Sequence, residues 1–346
     1  MIEIVKPGIH ASVQDLGRTG FRKYGIGLSG AMDPFALTVA NHLLGNEPDA
    51  AAIECALGGI EIRFHADTCI SLAGPNMAAL LDDAPVPSWW ATPVRAGQVL
   101  RTGMLSRGMR FYIGFAGGID VEEVMNSRST DLKGRFGGFE GRMLRHGDRL
   151  AVRDGSGSPV LRQAFGLAAR AIPDLDDTPE RETTIRFLAA AEWEDLAPES
   201  RRLFLDTGWS VDPESNRMGY RLSGACLELT RRREMLSHGI LPGTIQLPPS
   251  GLPIIQLNDA NTCGGYPKLG VVIAADMRRL AQARLRSTIR FRLVEREEAV
   301  GAARRQNELL QGIGRICRSR HASMMQDVPA PPVPQKEERN ASARVD

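Results

Sequence analysis

Short apolar runs broken every few residues by Gly, Pro, Asp or Asn recur along most of the chain, a pattern that predicts strands. In the first half they fall at residues 2–5, 52–57, 61–64, 68–72, 99–100 and 110–116. Strands so evenly spaced, with turn residues between them, imply a barrel or sandwich. A further run at 184–189 opens the second half, and three more stand close together at 243–247, 253–257 and 270–275. Helix signals are few. Asp33-Pro34 opens one helix, because Asp caps free amides and Pro suits the first turn, and Gly45 closes it. A second starts around Pro198 and turns Leu203 and Phe204 inward, and residues 298–320 predict a terminal helix.

Composition divides the chain further. Residues 153–182 turn acidic and rich in Pro, Ser and Gly (DGSGSP, IPDLDDTPERE), which reads as a linker. The sequence therefore predicts an N-terminal β unit over 1–152, a linker over 153–182, a C-terminal β unit over 183–297, and a terminal helix with a disordered Pro-rich tail over 298–346. Arg18-Thr19-Gly20-Phe21-Arg22 and Arg217-Met218-Gly219-Tyr220-Arg221 share Arg-x-Gly-aromatic-Arg. Leu-Ser-Gly-Ala follows in both halves, at 28–31 and 222–225. A duplication of one β unit explains this, with a ligand cleft between the copies.

Charge and cysteine use narrow the function classes. With 43 basic and 41 acidic residues, no polyanionic partner is implied. Arg231-Arg232-Arg233 and the arginines from 278 to 296 lack interleaved aromatics, so they read as solvated faces and not as a nucleic-acid surface. Five cysteines without a CxxC pair fit a reducing cytoplasm. The N-terminus MIEIVKPGIH has no signal-peptide core, and no apolar run reaches the roughly 18 residues of a membrane span. A soluble cytoplasmic protein is expected. No HExxH, Cys/His ligand spacing or Ca loop is present, so no metal is expected.

Candidate chemistry gathers between Ser237 and Asp276. Gln246, Gln256, Asn258, Asp259 and Asn261 interrupt or end apolar strands, and polar groups there need partners from the fold or from a ligand. Gly264-Gly265 permits close backbone approach, and Pro267 sets the exit direction. Tyr266 and Lys268 then offer a phenol and an ammonium opposite the Asp259 carboxylate, a set able to grip a small planar amide or carboxylate. A tight turn with an incidental Tyr and Lys fits the same pattern. Lys268 stands out because the chain holds only five lysines against thirty-eight arginines.

Elsewhere the signals are weaker. Residues 25–30 match GxGxxG and Glu54 lies roughly twenty residues further on, as a ribose-binding acid would, yet no apolar strand leads into the glycines, as dinucleotide binding requires. The Gly/Arg stretch 134–142 could cradle an anion but lacks the Gly-Lys-Ser/Thr ending of a phosphate loop. Asp33 reads as a helix cap first and a ligand second. Cys263 has no partner His evident from the sequence and reads as small-residue packing.

Seven motifs in order, QDLGR (14–18), SGAMD (29–33), AGGID (116–120), SRST (127–130), SNRMGYRL (215–222), GTIQLPPSGLPI (243–254) and GGYPKLG (264–270), resemble the biotin-dependent carboxyltransferase family. That family includes the carboxyltransferase domain of urea amidolyase, the second subunit of allophanate hydrolase and the C subunit of 5-oxoprolinase. The resemblance implies a mostly β protein of two cyclophilin-like β-barrel units with a few short helices. It implies catalytic roles for Asp259, Tyr266 and Lys268 and substrate binding by Asp33, Arg217 and Gln246. Asn261 departs from the family's D-x-Q-T-x-G-G-Y-P, and Asn126 stands where Gly is usual before SRST. The chain carries neither a biotin carboxylase nor a Met-Lys-Met biotinyl segment. The implied function is therefore a subunit of an ATP-hydrolysing 5-oxoprolinase, opening 5-oxoproline to glutamate with a smaller homologous subunit and a further hydrolase subunit, ATP being bound here or with a partner. The alternatives are a carboxyltransferase acting on urea or a related amide with biotin on another protein, and a non-catalytic binder of a kinase inhibitor.

Overall fold

The structure, a computed structural model, describes residues 1–153, 163–168, 182–231 and 235–326. Most of the predicted linker and the tail beyond residue 326 lie outside these residues. In the first half the apolar runs pair into two antiparallel sheets. A seven-stranded sheet runs in the order Ile119–Asp120, Arg149–Val152, Ile2–Pro7, Ile60–Phe64, Val99–Arg101, Ala79–Leu81, Ala84–Val86. A six-stranded sheet runs Phe165–Gly166, Trp90–Val94, Thr68–Ala73, Arg110–Phe115, Ala52–Ala56, His10–Gln14. Alternation along Ile60–Phe64, where Ile60, Ile62 and Phe64 are buried and Arg63 is exposed, shows one face turned to the core and the other to water. Those residues join Ile4, Leu72, Phe111 and Ile113 in one apolar cluster.

In the second half seven strands close into a barrel: Glu182–Ala189, Lys268–Val272, Thr244–Gln246, Ile254–Gln256, Gly219–Ser223, Trp209–Val211 and Thr288–Leu293. The ring closes where Thr288–Leu293 runs parallel to Glu182–Ala189. Its interior is filled by Phe187, Phe204, Trp209, Tyr220, Ile245, Ile255 and Phe291, with Phe204 stacked on Phe291 at 4.4 Å. Strand pairing thus closes a ring in the second unit and leaves two sheets in the first.

Four α-helices complete the fold among the described residues: α1 (Pro34–Leu44), α2 (Pro198–Asp206), α3 (Met277–Gln282) and α4 (Arg296–Gln326). Asp33 caps α1 by accepting the Ala36 amide at 3.1 Å, and Gly45 ends it at φ 71°. α1 is buried nearly all round because α4 packs over it, Ile313 and Cys317 joining Phe35, Val39 and Leu43. α4 is longer than predicted by two residues at its start and six at its end. The proposed repeat is not mirrored locally. Arg18 to Arg22 runs from a loop into a 3-10 turn, whereas Gly219 to Ser223 is a barrel strand.

Candidate functional site

Arg217 leaves the turn before Gly219–Ser223 with its guanidinium buried, where an ion needs partners on every side. Its Nε and Nη2 donate to the two carboxylate oxygens of Asp259 at 2.9 and 3.0 Å, Nη1 donates to Glu54, and Nη2 also donates to the Gly30 carbonyl at 2.7 Å. Glu54 sits on Ala52–Ala56 in the first unit, so the guanidinium joins the two halves of the chain. Glu54 accepts further bonds from the Tyr112 hydroxyl at 2.6 Å and the Met32 amide at 2.8 Å, and Arg110 lies 3.9 Å away. Arg110 in turn reaches the Tyr220 hydroxyl at 2.9 Å and the Ala281 carbonyl at 2.6 Å.

Asp33 belongs to the same seam. Besides capping α1, its carboxylate accepts from Gln282 of α3 at 3.0 Å, and the Gln282 amide oxygen takes the Met109 and Arg110 amides at 3.0 Å each. Burial pushes the Asp33 carboxyl up, with Arg278 pulling the other way. Burial would raise Glu54 too, but Arg217 and Arg110 hold it below the usual range. Burial favours a neutral Arg217, yet Asp259 and Glu54 outweigh it and keep the guanidinium protonated.

The other three predicted residues lie together in the second unit. Gln246 and Lys268 face each other across adjacent strands of the barrel. The Gln246 side-chain oxygen accepts from Gln256 at 2.9 Å, while its buried Nε2 has no partner among the described residues. Gly264 lies against that amide, since a Cβ there would come within 2.7 Å of Nε2. The Lys268 ammonium meets His238 Nε2, and its backbone amide donates to Glu192 at 3.0 Å. Burial pulls the Lys268 pKa down, opposed by Glu192. Tyr266, 46% exposed, stands beside these groups in sequence and opens to solvent.

The six predicted residues therefore divide into a buried seam of Asp33, Arg217 and Asp259 and a rim of Gln246, Tyr266 and Lys268. The expectation that Asp259 opposes Lys268 gives way: its carboxylate is engaged by Arg217, because a buried carboxylate takes the nearest cation that offers two donors. The segment 258–268 links the two groups. Asn258 donates to the Ala31 carbonyl at 2.8 Å and Asp259 to the Arg217 carbonyl through its amide at 3.1 Å. Asn261 accepts from Lys133 of the first unit, and Arg22 donates to the Ile240 carbonyl beside the antiparallel pair of His238–Gly239 and Cys263–Gly264.

The model of the carboxyltransferase domain, subdomains A and B, matches residues 24–293, which spans the seam and the rim together. This chain belongs to that carboxyltransferase domain family. Among its relatives, the C subunit of the Haemophilus influenzae 5-oxoprolinase is 42% identical over 316 residues, covering 91% of this chain and 98% of that protein. The C subunit of the Escherichia coli 5-oxoprolinase is 41% identical over 316 residues, covering 90% and 97%. The urea amidolyase of Saccharomyces cerevisiae is 32% identical over 304 residues, which are 84% of this chain but 16% of that protein. The crystal structure of K. lactis urea amidolyase superposes with a TM-score of 0.83 at 28% identity, over 90% of this chain and 20% of that one.

Within this carboxyltransferase domain, one departure from the expected motif has a backbone explanation. Asn126 takes φ 57°, the left-handed region where Gly is favoured and Asn tolerated. Sequence reasoning weighed Glu54 only as the acid partner of the GxGxxG stretch, and it passed over Tyr112, Gln282 and His238. Glu54 carried a signal, a charged residue at the centre of the apolar run AIECA, and a buried carboxylate there demands a cation. His238 and Gln282 carried none.

Proposed function

We propose that this chain is the carboxyltransferase-type subunit of a cytoplasmic 5-oxoprolinase, working with a smaller homologous subunit and a further hydrolase subunit to open 5-oxoproline to glutamate with ATP. The observation that carries the reading is near-full-length similarity to the C subunits of two 5-oxoprolinases. The rim supports it chemically. A lactam carboxylate is small and flat, and the rim offers a partly desolvated ammonium at Lys268, an unclaimed amide donor at Gln246 and a solvent-open phenol at Tyr266.

In this reading Lys268 pairs the substrate carboxylate, Gln246 Nε2 donates to the lactam oxygen, and charge developing there in the transition state strengthens that bond. Tyr266 moves a proton at the ring nitrogen as the amide bond opens. Asp259, Arg217 and Asp33 act by position, clamping the segment that delivers the rim residues. ATP supplies the activation that makes a lactam, an unreactive amide, open to water.

The likeness to urea amidolyases supports a second reading, carboxyl transfer to an amide from biotin carried by another protein. One experiment separates them. The chain is co-expressed with the subunits encoded beside it, and glutamate release from 5-oxoproline is followed with and without ATP and with avidin. ATP-dependent release indifferent to avidin is expected, with Tyr266→Phe lowering kcat about tenfold and Lys268→Gln lowering kcat/KM about ten- to a hundredfold, the scale of one charge-assisted hydrogen bond. Because the Lys268 pKa is lowered, wild-type activity is expected to fall on the alkaline side below the ordinary lysine range. Avidin-sensitive turnover, or rates untouched by both substitutions, overturns the assignment.

A further inference from the structure

The sequence reads the arginines from 278 onward as solvated faces, but the fold gathers several around one hollow. A cavity of about 520 Å3 lies where α3 and α4 meet the closing strands of the barrel, and Arg186, Arg278, Arg279, Arg292 and Arg305 line it together with Asp276. Two carboxylates answer them. Asp276, 1% exposed, is gripped by Arg186 through Nε at 2.9 Å and Nη2 at 2.6 Å, and Glu298 lies between Arg186, at 3.5 Å, and Arg292. Even with Arg279 set aside, and with Asp33, whose carboxyl feels Arg278, counted beside these two, the four guanidinium groups outnumber the carboxylates and leave an excess of positive charge facing one half-open hollow.

The excess is structured. Arg278 stacks over the Phe35 ring of α1 at 4.2 Å, which orients its plane without neutralising it. Arg186 is held by the buried Asp276 through Nε and Nη2 and by Glu298 through Nη1, which fixes the plane of its guanidinium at the wall of the hollow. Arg305 approaches from α4, so the hollow exists only where the terminal helix is docked. Guanidinium groups pair phosphate oxygens two donors at a time, and several convergent arginines in a partly desolvated hollow select a ligand with several negative charges over a single carboxylate. The volume lies within the range of small-ligand pockets.

Two other hollows compare poorly. The cavity of about 590 Å3 at the Gly/Arg stretch holds Arg135, Arg142 and Arg145, but Arg142 is closed off by Asp148 at 2.7 and 2.9 Å and by Glu140 at 2.6 Å. The cavity of about 400 Å3 between α1 and α4 holds two arginines, Arg315 and Arg318.

We propose that the hollow between the barrel and α4 binds a di- or triphosphate, free or as the tail of a nucleotide. It joins the seam through α3, which carries Arg278 and Arg279 near its start and the Asp33-binding Gln282 at its end. The inference does not rest on the lactam assignment, since binding is read with no 5-oxoproline present.

The test is calorimetric titration of the purified full-length chain, at low salt, with inorganic triphosphate, pyrophosphate and ATP. Saturable binding to one site is expected, weakening as salt rises. Arg305→Glu, on an exposed position of α4, is expected to raise the Kd at least about tenfold for every phosphate probe, and Arg278→Gln similarly. Arg145→Glu, at the other arginine hollow, leaves the Kd unchanged. Equal affinity for triphosphate and ATP would mean that the phosphates alone are read, and tighter ATP binding that the nucleoside is held too; both support the site. No saturation up to about 10 mM in the wild type, weaker than any affinity several paired arginines should give, or a Kd unmoved by Arg305→Glu, overturns it.

Discussion

Replacing Arg217 by Met is the sharpest test of the seam. Met keeps the aliphatic length and removes the charge, leaving Glu54 and Asp259 buried without their shared cation and the Gly30 carbonyl without its donor. Breaking a buried ion pair by removing one partner costs about 3–5 kcal/mol, and Arg217 serves two carboxylates, so the loss is expected near the upper end of that range. The pH dependence has a definite sign. In the wild type Glu54 has a depressed pKa, so its contribution is present above the carboxylate's unfolded pKa and fades as pH falls through the folded one. In the variant Asp259 loses its cation and Glu54 keeps only Arg110 at 3.9 Å, so both folded pKa values rise, and the cost is greatest at high pH and shrinks as acid protonates them. Urea unfolding, followed by fluorescence of the buried Trp193 and Trp209, is compared at about pH 8 and about pH 5.5, either side of the range where such raised carboxyls titrate. The gap between variant and wild type should narrow at the lower pH, and Glu54→Gln added to Arg217→Met should recover about 1–2 kcal/mol by removing one orphaned charge. A loss below about 1 kcal/mol at the higher pH, or a gap that does not change with pH, would refute the claim that this guanidinium pins the two halves together.

Two further positions probe single contacts. Asp33→Ala is expected to lose about 1–2 kcal/mol, because it removes both the α1 cap and the acceptor for Gln282. Asp33→Asn keeps a cap; because burial raises the Asp33 pKa, the native charge costs stability as pH rises, so this variant should gain on the wild type with increasing pH in thermal melts. Gly264→Ala places a methyl group within 2.7 Å of Gln246 Nε2, and the KM for 5-oxoproline in the assembled enzyme should rise about tenfold, the scale of one lost hydrogen bond, with little change in melting temperature. An unchanged KM would remove Gln246 from the substrate's contacts.

Much of the fold was legible in the residues alone, because period and punctuation are local. The run at 52–57 appears as Ala52–Ala56, the run at 110–116 as Arg110–Phe115, and the helix opened by Asp33-Pro34 ends at Gly45 as its capping residues dictate. The three late runs also became strands, although the third starts at Lys268, since pairing with Thr244–Gln246 draws it in before the apolar stretch begins. The short strands Ala79–Leu81 and Ala84–Val86 gave too few residues for a period to show.

The candidate site was legible as a set of residue types and not as a geometry. Sequence by itself marked Gln246 within a strand and a rare lysine after two glycines as groups that call for partners, and it held the same signal, unread, at Glu54 in an apolar run. Only the tertiary structure decided who answers them. Arg217 reaches across to the other half of the chain and takes Asp259 away from Lys268, Lys268 finds His238, and arginines far apart in the chain converge on one hollow. The reason is physical. The need for a partner belongs to a side chain and its local burial, whereas the identity of that partner depends on which distant strands and helices are brought within about 3 Å.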